Sequence, residues 1–160
     1  MRQDFKLGSK WIADAANPQP HEIDVEFMWA RLGENRRFNG HPDALTIHEH
    51  MLIVACLAHH HDEPKDVLTW AVHHDCHEYA TSDIPTPIKR LLGTKIVAIE
   101  RAWDRAICGA LGAPVPTEET RKIVKKYDNM AASYEWYNFL KNEPHPDFKP
   151  LMDGDLPKVW

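Results

Sequence analysis

Cysteine is scarce in this sequence, and no two cysteines form a recognisable pair. The three cysteines are widely separated, and no Cys-x-x-Cys pair occurs among Cys56, Cys76 and Cys108. An odd, scattered set of this kind does not suit a disulfide framework or a redox motif. We therefore expect reduced thiols in a cytoplasmic protein.

Long apolar runs and an excess of basic residues are also lacking. No run approaches the length of a membrane-spanning helix, and the first residues, MRQDFKLGSKW, contain no apolar stretch long enough for a signal peptide. The formal net charge is -5, so the broad basic surface typical of DNA- or RNA-binding proteins is missing. We expect neither a membrane nor a nucleic-acid polymer as a partner.

The sequence shows no strand alternation, no internal repeat and no domain linker. Its 160 residues are the length of about one domain. Apolar residues instead recur at three- and four-residue steps, which is typical of helices. This spacing predicts an all-α single domain of five to seven helices over residues 1–160, with a core at about 23–140 and an irregular, Pro-rich tail at 142–160. The helices are expected at 22–34, 45–59, 64–79, 95–111 and 117–140.

Histidine, in contrast, is abundant, with eleven copies that lie mostly between His41 and His77. The run HHDCHE, residues 73–78, overlaps the end of this region and lies inside the third predicted helix. Residues three and four apart share one face of a helix. His74, Asp75 and Glu78 therefore continue the apolar stripes of that helix and are predicted to point inward.

Two further polar residues lie on apolar stripes of other helices, namely His50 and Asp128. A buried carboxylate costs several kcal/mol unless it is paired or binds a metal. Imidazole and carboxylate groups together bind a divalent ion, with Mn, Co or Zn favoured and Mg or Fe as further candidates. Each residue alone has an ordinary explanation as well: an inward histidine can be a core residue, and Asp128 can pair with Lys125.

Two segments carry a resemblance to a known family: RRFNGH followed by HEHMLIVA, and HHDCHEYATSDIPTPIK. With its order of His, His-Asp and Asp, the chain resembles the HD-domain metal-dependent phosphohydrolases over about residues 23–140. The second segment is similar to the stretch shared by small 5′-deoxynucleotidases. In size and motif order the chain is also similar to phage-encoded deoxyadenosine triphosphate hydrolases.

The resemblance implies an HD-type helical bundle that hydrolyses deoxynucleotides, either as a triphosphohydrolase with a possible preference for dATP or as a 5′-nucleotidase. It implies metal ligation by the residues that match the motif: His50, His74, Asp75 and Asp128. The resemblance assigns proton transfer to Glu78, for which support of a ligand histidine is the alternative. It assigns Asp83 to the sugar or to orienting a ligand.

The resemblance also implies where the substrate binds. Arg37 and Lys89 are expected to contact phosphate, Phe38 to stack on the base, and Gly40 to leave space beside the base. Phe38 has an equally good explanation as a core anchor, and Lys89 as a surface lysine on a short helix. Small enzymes of this kind are commonly homo-oligomers, and a phage-encoded one would act in the host cytoplasm.

Some features depart from the family pattern or leave other functions open. Met51 follows the first metal histidine where relatives usually carry Ser, and a second His-Asp pair, His61–Asp62, is interpreted as a solvated helix cap. An HD-type phosphodiesterase and a non-catalytic metal- or nucleotide-binding module remain alternatives. A zinc peptidase is disfavoured because the His-Glu-x-x-His order is missing.

Overall fold

Helices dominate the computed structural model, which describes residues 4–140, 147–152 and 154–157. The predicted single-domain helical fold is confirmed, with six helices of seven residues or more and two single turns within the described chain. No helix in these ranges is long and apolar enough to cross a membrane. In chain order the elements are β1 (Phe5–Leu7), β2 (Lys10–Ile12), a 3-10 turn (Pro20–Glu22), α1 (Val25–Glu34), α2 (Arg37–Gly40), α3 (Ile47–His60), α4 (Lys65–Ala71), α5 (Glu78–Thr81), α6 (Thr86–Leu92), α7 (Thr94–Leu111) and α8 (Glu118–Asn138).

Strands β1 and β2 form a small antiparallel hairpin that the sequence pattern did not predict. Three-residue strands are too short to show the alternation by which strands are recognised. The hairpin is fastened to α1 by Asp24, whose Oδ2 accepts hydrogen bonds from Ser9 N at 2.8 Å and Ser9 Oγ at 2.6 Å. Asp24 is also the N-cap of α1, because its Oδ1 accepts from Phe27 N at 3.0 Å.

The loop between α1 and α3 folds back beside the start of α3. Thr46 and Glu49 form a capping box that fixes where α3 begins. Backbone hydrogen bonds from Arg37 N to Leu45 O and from Ile47 N to Asn35 O, both 2.9 Å, close the loop. Arg37 is therefore held beside the start of α3, the helix that carries His50.

Single turn α2 is left-handed for most of its length. Phe38 has φ 51° and Asn39 has φ 57°, and Gly40 follows with φ 76°. This region is costly for a phenylalanine and easy for a glycine. The Phe38 ring is held by packing against Trp136 and Phe148, with ring centroids 5.9 and 6.3 Å away.

The third predicted helix is shorter than expected. It ends at Ala71, and residues 72–77 form a series of turns before α5 begins at Glu78. The turn hydrogen bonds run from Cys76 N to His73 O and from Glu78 N to Asp75 O, both 3.0 Å. They span three residues rather than four, so the backbone is wound more tightly than in an α-helix. The prediction of a continuous helix to Tyr79 is therefore wrong.

The bounds of the later helices agree better with those predicted from the sequence. Thr117 caps α8 through a bond from Thr120 N at 3.1 Å, near the predicted start. Helix α6 was given no bounds from the sequence because Pro85 and Pro87 were interpreted as breaks, although a proline suits a first turn. It is the short helix that the alternative explanation of Lys89 supposed. The tail contains no helix over 147–152 and 154–157, while 142–146, 153 and 158–160 of the predicted irregular segment lie outside the described residues.

Two apolar clusters form the core, and α3 takes part in both. Ile47 and Met51 of α3 pack with the hairpin, α1, α5 and α7 around Trp103. Val54 and Leu57 pack with α4 and α8 around Tyr127. His50 is fully buried on α3, between the residues that pack in the first apolar cluster and those that pack in the second. The polar site is thus built at the junction of the two clusters.

Candidate metal centre

Four metal-ligating side chains converge from three parts of the chain. His50 comes from α3, His74 and Asp75 from the turn between α4 and α5, and Asp128 from α8. One ligand atom of each lies within 4.8 Å of the corresponding atoms of the others. We call these four residues the four-ligand cluster.

Distances within the four-ligand cluster are those of donors around a single ion. His50 Nε2 lies 3.1 Å from Asp128 Oδ1 and 3.7 Å from Asp75 Oδ2. His74 Nε2 lies 3.2 Å from Asp75 Oδ2. Nitrogen and oxygen donors about 2.1 Å from one ion are about 3–4 Å from each other, so only small adjustments are needed to hold a metal.

His74 provides a separate indication that this site could hold an ion. Its Nδ1 is bonded to the carbonyl of Ala71 at 2.9 Å, which directs Nε2 into the cluster. His74 is 8% exposed, and its buried Nε2 makes no hydrogen bond among the described residues, although Asp75 Oδ2 lies 3.2 Å away. A buried, unpartnered polar atom is costly. Metal coordination through Nε2 would satisfy it.

Charges around the cluster keep both carboxylates ionised. Burial alone would raise the pKa of Asp75, but neighbouring His74, His50 and Arg37 hold that pKa well below its usual range. Burial also opposes ionisation of Asp128, and the hydrogen bond from His50 and the charge of Lys125 keep its pKa low. Ionised carboxylates are the form that binds divalent cations.

Glu135 is a site residue that the sequence analysis missed. It is 1% exposed and accepts a hydrogen bond from His50 Nδ1, leaving His50 Nε2 to face the cluster. Its other oxygen accepts from Arg37 Nε at 2.9 Å. A carboxylate behind a ligand histidine fixes the tautomer and the ring orientation. The signal was present in the sequence, because Glu135 follows Asp128 by seven residues, or two helical turns.

Arg37 is placed differently from a free phosphate-binding side chain. Only 11% of its side chain is exposed, and besides Glu135 it lies 3.5 Å from Asp75 Oδ2 through an Nη atom. Burial disfavours its charge, yet the surrounding carboxylates, led by Glu135 and Asp128, raise its pKa further above the usual value. The main role of Arg37 is therefore to hold Glu135 and Asp75 in position.

Glu78 is buried beside the cluster, at the first residue of α5. It is 3% exposed, and its Oε2 has no hydrogen-bond partner within the described part of the chain. Its Oε1 lies 3.6 Å from Lys89 Nζ, and Lys89 also pairs with Glu100 at 2.9 Å. Burial, together with the charges of Asp75 and Asp83, raises the pKa of Glu78 well above its usual value.

The predicted substrate residues lie around the left-handed turn. Asp83 is half-buried and its Oδ2 accepts a long 3.5 Å bond from Asn39 N, so the RRFNGH loop and the residue expected at the sugar are neighbours. Phe38 is half-buried in an aromatic cluster, an arrangement that also fits a core anchor. Gly40 is exposed with open space where a side chain would extend. Lys89 is about one-third exposed on α6.

The second His-Asp pair lies outside this site, and its surroundings differ from the prediction. His61 is not solvated: its ring stacks 5.5 Å from that of Tyr127, and its Nε2 is buried. Asp62 is exposed with φ 55°. Pro64 is the N-cap of α4, and no side chain caps that helix. Asp62 is thus solvated as predicted, and His61 is the C-cap residue of α3. The part of the prediction that is wrong is the capping of α4 by Asp62.

Comparison with known proteins leaves the family unassigned. No protein-family model matches the sequence, and no curated protein is significantly similar to it. What this site does is therefore inferred from its own donor atoms, their burial and their charges.

Proposed function

We propose that this protein is a divalent-metal-dependent phosphohydrolase of deoxynucleotides that acts on the 5′-phosphate or triphosphate group. One observation carries the proposal: two imidazoles and two carboxylates from three parts of the chain converge with one donor atom each within 4.8 Å of the others, and three of these pairs are 3.1–3.7 Å apart. Alongside them stand a buried acid, Glu78, and a partly exposed cation, Lys89. This combination suits metal-assisted attack on a phosphorus centre.

Ion binding is assigned to the four-ligand cluster. A mixed set of imidazole and carboxylate donors suits Mn²⁺, Co²⁺ or Zn²⁺, with Mg²⁺ and Fe²⁺ as further candidates. When bound, such an ion polarises a phosphoryl oxygen and lowers the pKa of a water ligand. Glu135, held by Arg37, orients the His50 ring so that Nε2 faces the other residues of the four-ligand cluster, where it could hold the ion.

Proton transfer is assigned to Glu78. Its raised pKa keeps the carboxyl protonated to a higher pH than that of an exposed glutamate. A group poised in this way can deliver a proton to the leaving oxygen or take one from the attacking water. Lys89, 3.6 Å from Glu78, supplies positive charge near the same point.

Substrate binding is assigned to the left-handed turn and to α6. Phe38 offers a partly exposed ring for stacking on the base, and Gly40 leaves space at its edge. Asp83 lies next to the turn, where it can contact the sugar. Lys89 has the exposure needed for phosphate contact. Arg37 Nε is bonded to Glu135, so contact of that nitrogen with phosphate would require exchange of this bond.

A substrate screen tests the activity directly. Each deoxy- and ribonucleotide is supplied as mono- and triphosphate with Mn²⁺, Co²⁺, Zn²⁺ or Mg²⁺, and the released phosphate species is identified. We expect hydrolysis of a deoxynucleotide with little turnover of bis-esters. Preference for a cyclic dinucleotide or another diester would indicate a phosphodiesterase, and nucleotide binding without turnover would indicate a non-catalytic module.

Substitution of the ligands tests the assignment of the site. Asp75→Asn and Asp128→Asn should each remove most of the bound metal and most of the activity, because each deletes a charged donor. His61→Asn serves as the control, since it alters a half-buried histidine outside the cluster. Metal content by elemental analysis and initial rates are the measurements. Full metal content in Asp75→Asn would refute the assignment.

A further inference from the structure

The C-terminal segment returns to the turn that is proposed to bind the base. Within residues 147–152, beyond the end of α8, Phe148 is half-buried between exposed neighbours. Its ring centroid lies 5.2 Å from that of Trp136 on α8 and 6.3 Å from that of Phe38. The rings of Trp136 and Phe38 are themselves 5.9 Å apart. We call these three residues the three-ring cluster.

Helix α8 fixes both the backbone and the ring of Phe148. Tyr137 Oη donates a hydrogen bond to the carbonyl oxygen of Phe148 at 2.9 Å, and Trp136 packs against the ring. Further along the chain, Leu156 packs against the apolar cluster around Tyr127. The position of Phe148 beside the left-handed turn is therefore set by the fold.

The three-ring cluster adjoins the four-ligand cluster. Phe38 directly follows Arg37, whose guanidinium lies 3.5 Å from the proposed ligand Asp75. Trp136 directly follows Glu135, which is bonded to a proposed ligand histidine. Since neighbouring α-carbons are about 3.8 Å apart, two of the three rings extend from positions next to the residues that support the metal site. A substrate with its phosphate at the metal and its base on Phe38 therefore meets Phe148 as well.

Arg37 limits which side of Phe38 a base can use. Its guanidinium carbon lies over the Phe38 ring, 5.5 Å from the centroid. A base that stacks on the other face lies beside Trp136 and Phe148, because both rings are within 6.3 Å of Phe38.

The separation of Phe38 and Phe148 is close to that needed to hold a base between them. The two rings meet edge to face, at an interplanar angle of 80°. A base between two parallel rings makes two contacts of about 3.5 Å, which require about 7 Å between the rings. Rotation of Phe148 and an increase of about 0.7 Å in the observed 6.3 Å would supply this space.

We propose that Phe148 is a substrate-binding residue that holds the nucleobase against Phe38, with Trp136 supporting its ring. This proposal rests on the proposed function and deepens it, because it names a second aromatic partner of the base. Stacking acts on the face of any base, so Phe148 adds affinity without choosing between bases. The contact involves no phosphate, and a nucleoside should therefore use it as well.

Binding of the four deoxynucleosides tests this contact without turnover, since they carry no phosphate to hydrolyse. Titration calorimetry measures the Kd of each for wild type, Phe148→Ala and Phe148→Tyr. Phe148→Ala should weaken binding by about 5–100-fold, the range for loss of one aromatic stack. Phe148→Tyr should match wild type because the ring is retained. Met152→Ala is the matched control, since it shortens an exposed apolar side chain of the same segment, and it should also match wild type.

Mn²⁺ binding separates a direct contact with the base from a general disturbance of the site. Equilibrium dialysis should give the same Mn²⁺ affinity for Phe148→Ala and wild type, because the four-ligand cluster is unchanged. Weaker binding of both Mn²⁺ and nucleoside would overturn the proposal, since Phe148 would then act on the structure of the site.

Nuclear Overhauser effects in the wild-type protein decide the question if Phe148→Ala does not fold, as judged by circular dichroism. With phenylalanine selectively labelled, only five residues contribute ring signals. Protons of a bound base should show contacts to the rings of Phe38 and Phe148, and the signal of Phe148 is the one that Phe148→Tyr lacks. Contacts to Phe38 without contacts to Phe148 would overturn the proposal.

The outcomes also separate this proposal from the proposed function. Unchanged or tighter nucleoside binding by Phe148→Ala would overturn the role of Phe148, and so would a wild type that hydrolyses nucleotides but binds no deoxynucleoside. A wild type that binds deoxynucleosides through Phe148 but hydrolyses no nucleotide would overturn the proposed function and leave the base contact in place. Weaker nucleoside binding by Phe148→Ala, with Mn²⁺ binding unchanged, would support the proposal.

Discussion

At the scale of single residues, the environment of Glu78 distinguishes it from an ordinary buried acid. It adjoins the four-ligand cluster without being part of it, and one of its oxygens is unpartnered. The side chain also lies within 3.6 Å of a lysine. In the proposed phosphate hydrolysis, proton transfer near the bond that breaks would therefore depend on Glu78 more than on any surface residue.

Replacing Glu78 should separate chemistry from metal binding. Glu78→Gln should lower kcat by about 10²–10⁴-fold, the range seen for loss of a general acid or base. The ion of the four-ligand cluster should stay, because none of its ligands changes. Steady-state kinetics and metal content measure both effects. Loss of every bound ion in the variant would make Glu78 structural instead.

Glu135 should act on the metal through His50. Glu135→Gln weakens the bond that orients the ring, and we expect about 10–100-fold weaker metal binding, the usual effect of losing a carboxylate behind a ligand histidine. Competition with a fluorescent chelator measures the affinity. Glu119→Gln, an exposed position in the first turn of α8, is the control. Equal affinity in both variants would contradict this role.

The four-ligand cluster shows what sequence reasoning can and cannot reach at this scale. Inward-facing positions on apolar stripes identified His50, His74, Asp75 and Asp128 as partners, and the structure brings them together. Glu135 escaped because a glutamate near the end of a long, polar helix usually faces solvent. Its seven-residue spacing from Asp128 placed it on the same helix face, but its bond to Arg37, 98 residues earlier in the chain, could not be read from helical periodicity.

At the scale of elements, local signals located most helix ends but not the turn that carries two of the ligands. Capping residues and prolines act through nearby backbone groups, so the starts of α3 and α8 were predictable. The tightened backbone at 72–77 was not, because the same residues continue a helical apolar pattern. The N-terminal hairpin escaped for a related reason, since its strands are held by α1 rather than by their own pattern.

The link between the hairpin and α1 should be sensitive to acid. The side-chain hydrogen bond from Ser9, followed by the backbone N–H groups of Phe27 and Ser9, lowers the pKa of Asp24 to about 2 from 3.8. A lowered native pKa means that ionised Asp24 stabilises the fold above about pH 4. That contribution is lost as pH falls from about 4 toward 2.

Urea unfolding of wild type and Asp24→Ala at several pH values tests this effect. At pH 6 the variant should unfold at a lower urea midpoint, and the difference should narrow between pH 4 and pH 2. Asp43→Ala, in an exposed loop, should follow wild type throughout. A difference between wild type and Asp24→Ala that stays constant down to pH 2 would show that ionisation of Asp24 does not stabilise the hairpin.

At the scale of the whole molecule, the four-ligand cluster ties together α3, the α4–α5 turn and α8. An ion that binds these ligands in the folded state, and not when they are separated, stabilises the fold by mass action. At a free concentration one hundred times Kd the gain is about 2.7 kcal/mol. For a domain of this size that corresponds to a rise of roughly 5–10 °C in Tm.

Removal of metal should therefore lower the thermal stability. Calorimetry of wild type before and after chelation, and after the ion is restored, measures the change in Tm. The Tm of Asp75→Asn should depend very little on added metal, because this variant lacks the charged carboxylate that contacts both His50 and His74. An equal metal-dependent shift in wild type and Asp75→Asn would place the stabilising ion elsewhere on the molecule.

The wide separation of the ligands along the chain also has a consequence for how the protein matures. His50 meets Asp128 across 78 residues and Glu135 across 85, so the site exists only after the longest loops have closed. Closing such loops costs entropy before the contact is gained, and it slows folding relative to helix formation. During refolding, helical circular dichroism should therefore recover before metal affinity does. A chain released from synthesis would pass through a helical state in which the four-ligand cluster is not yet assembled.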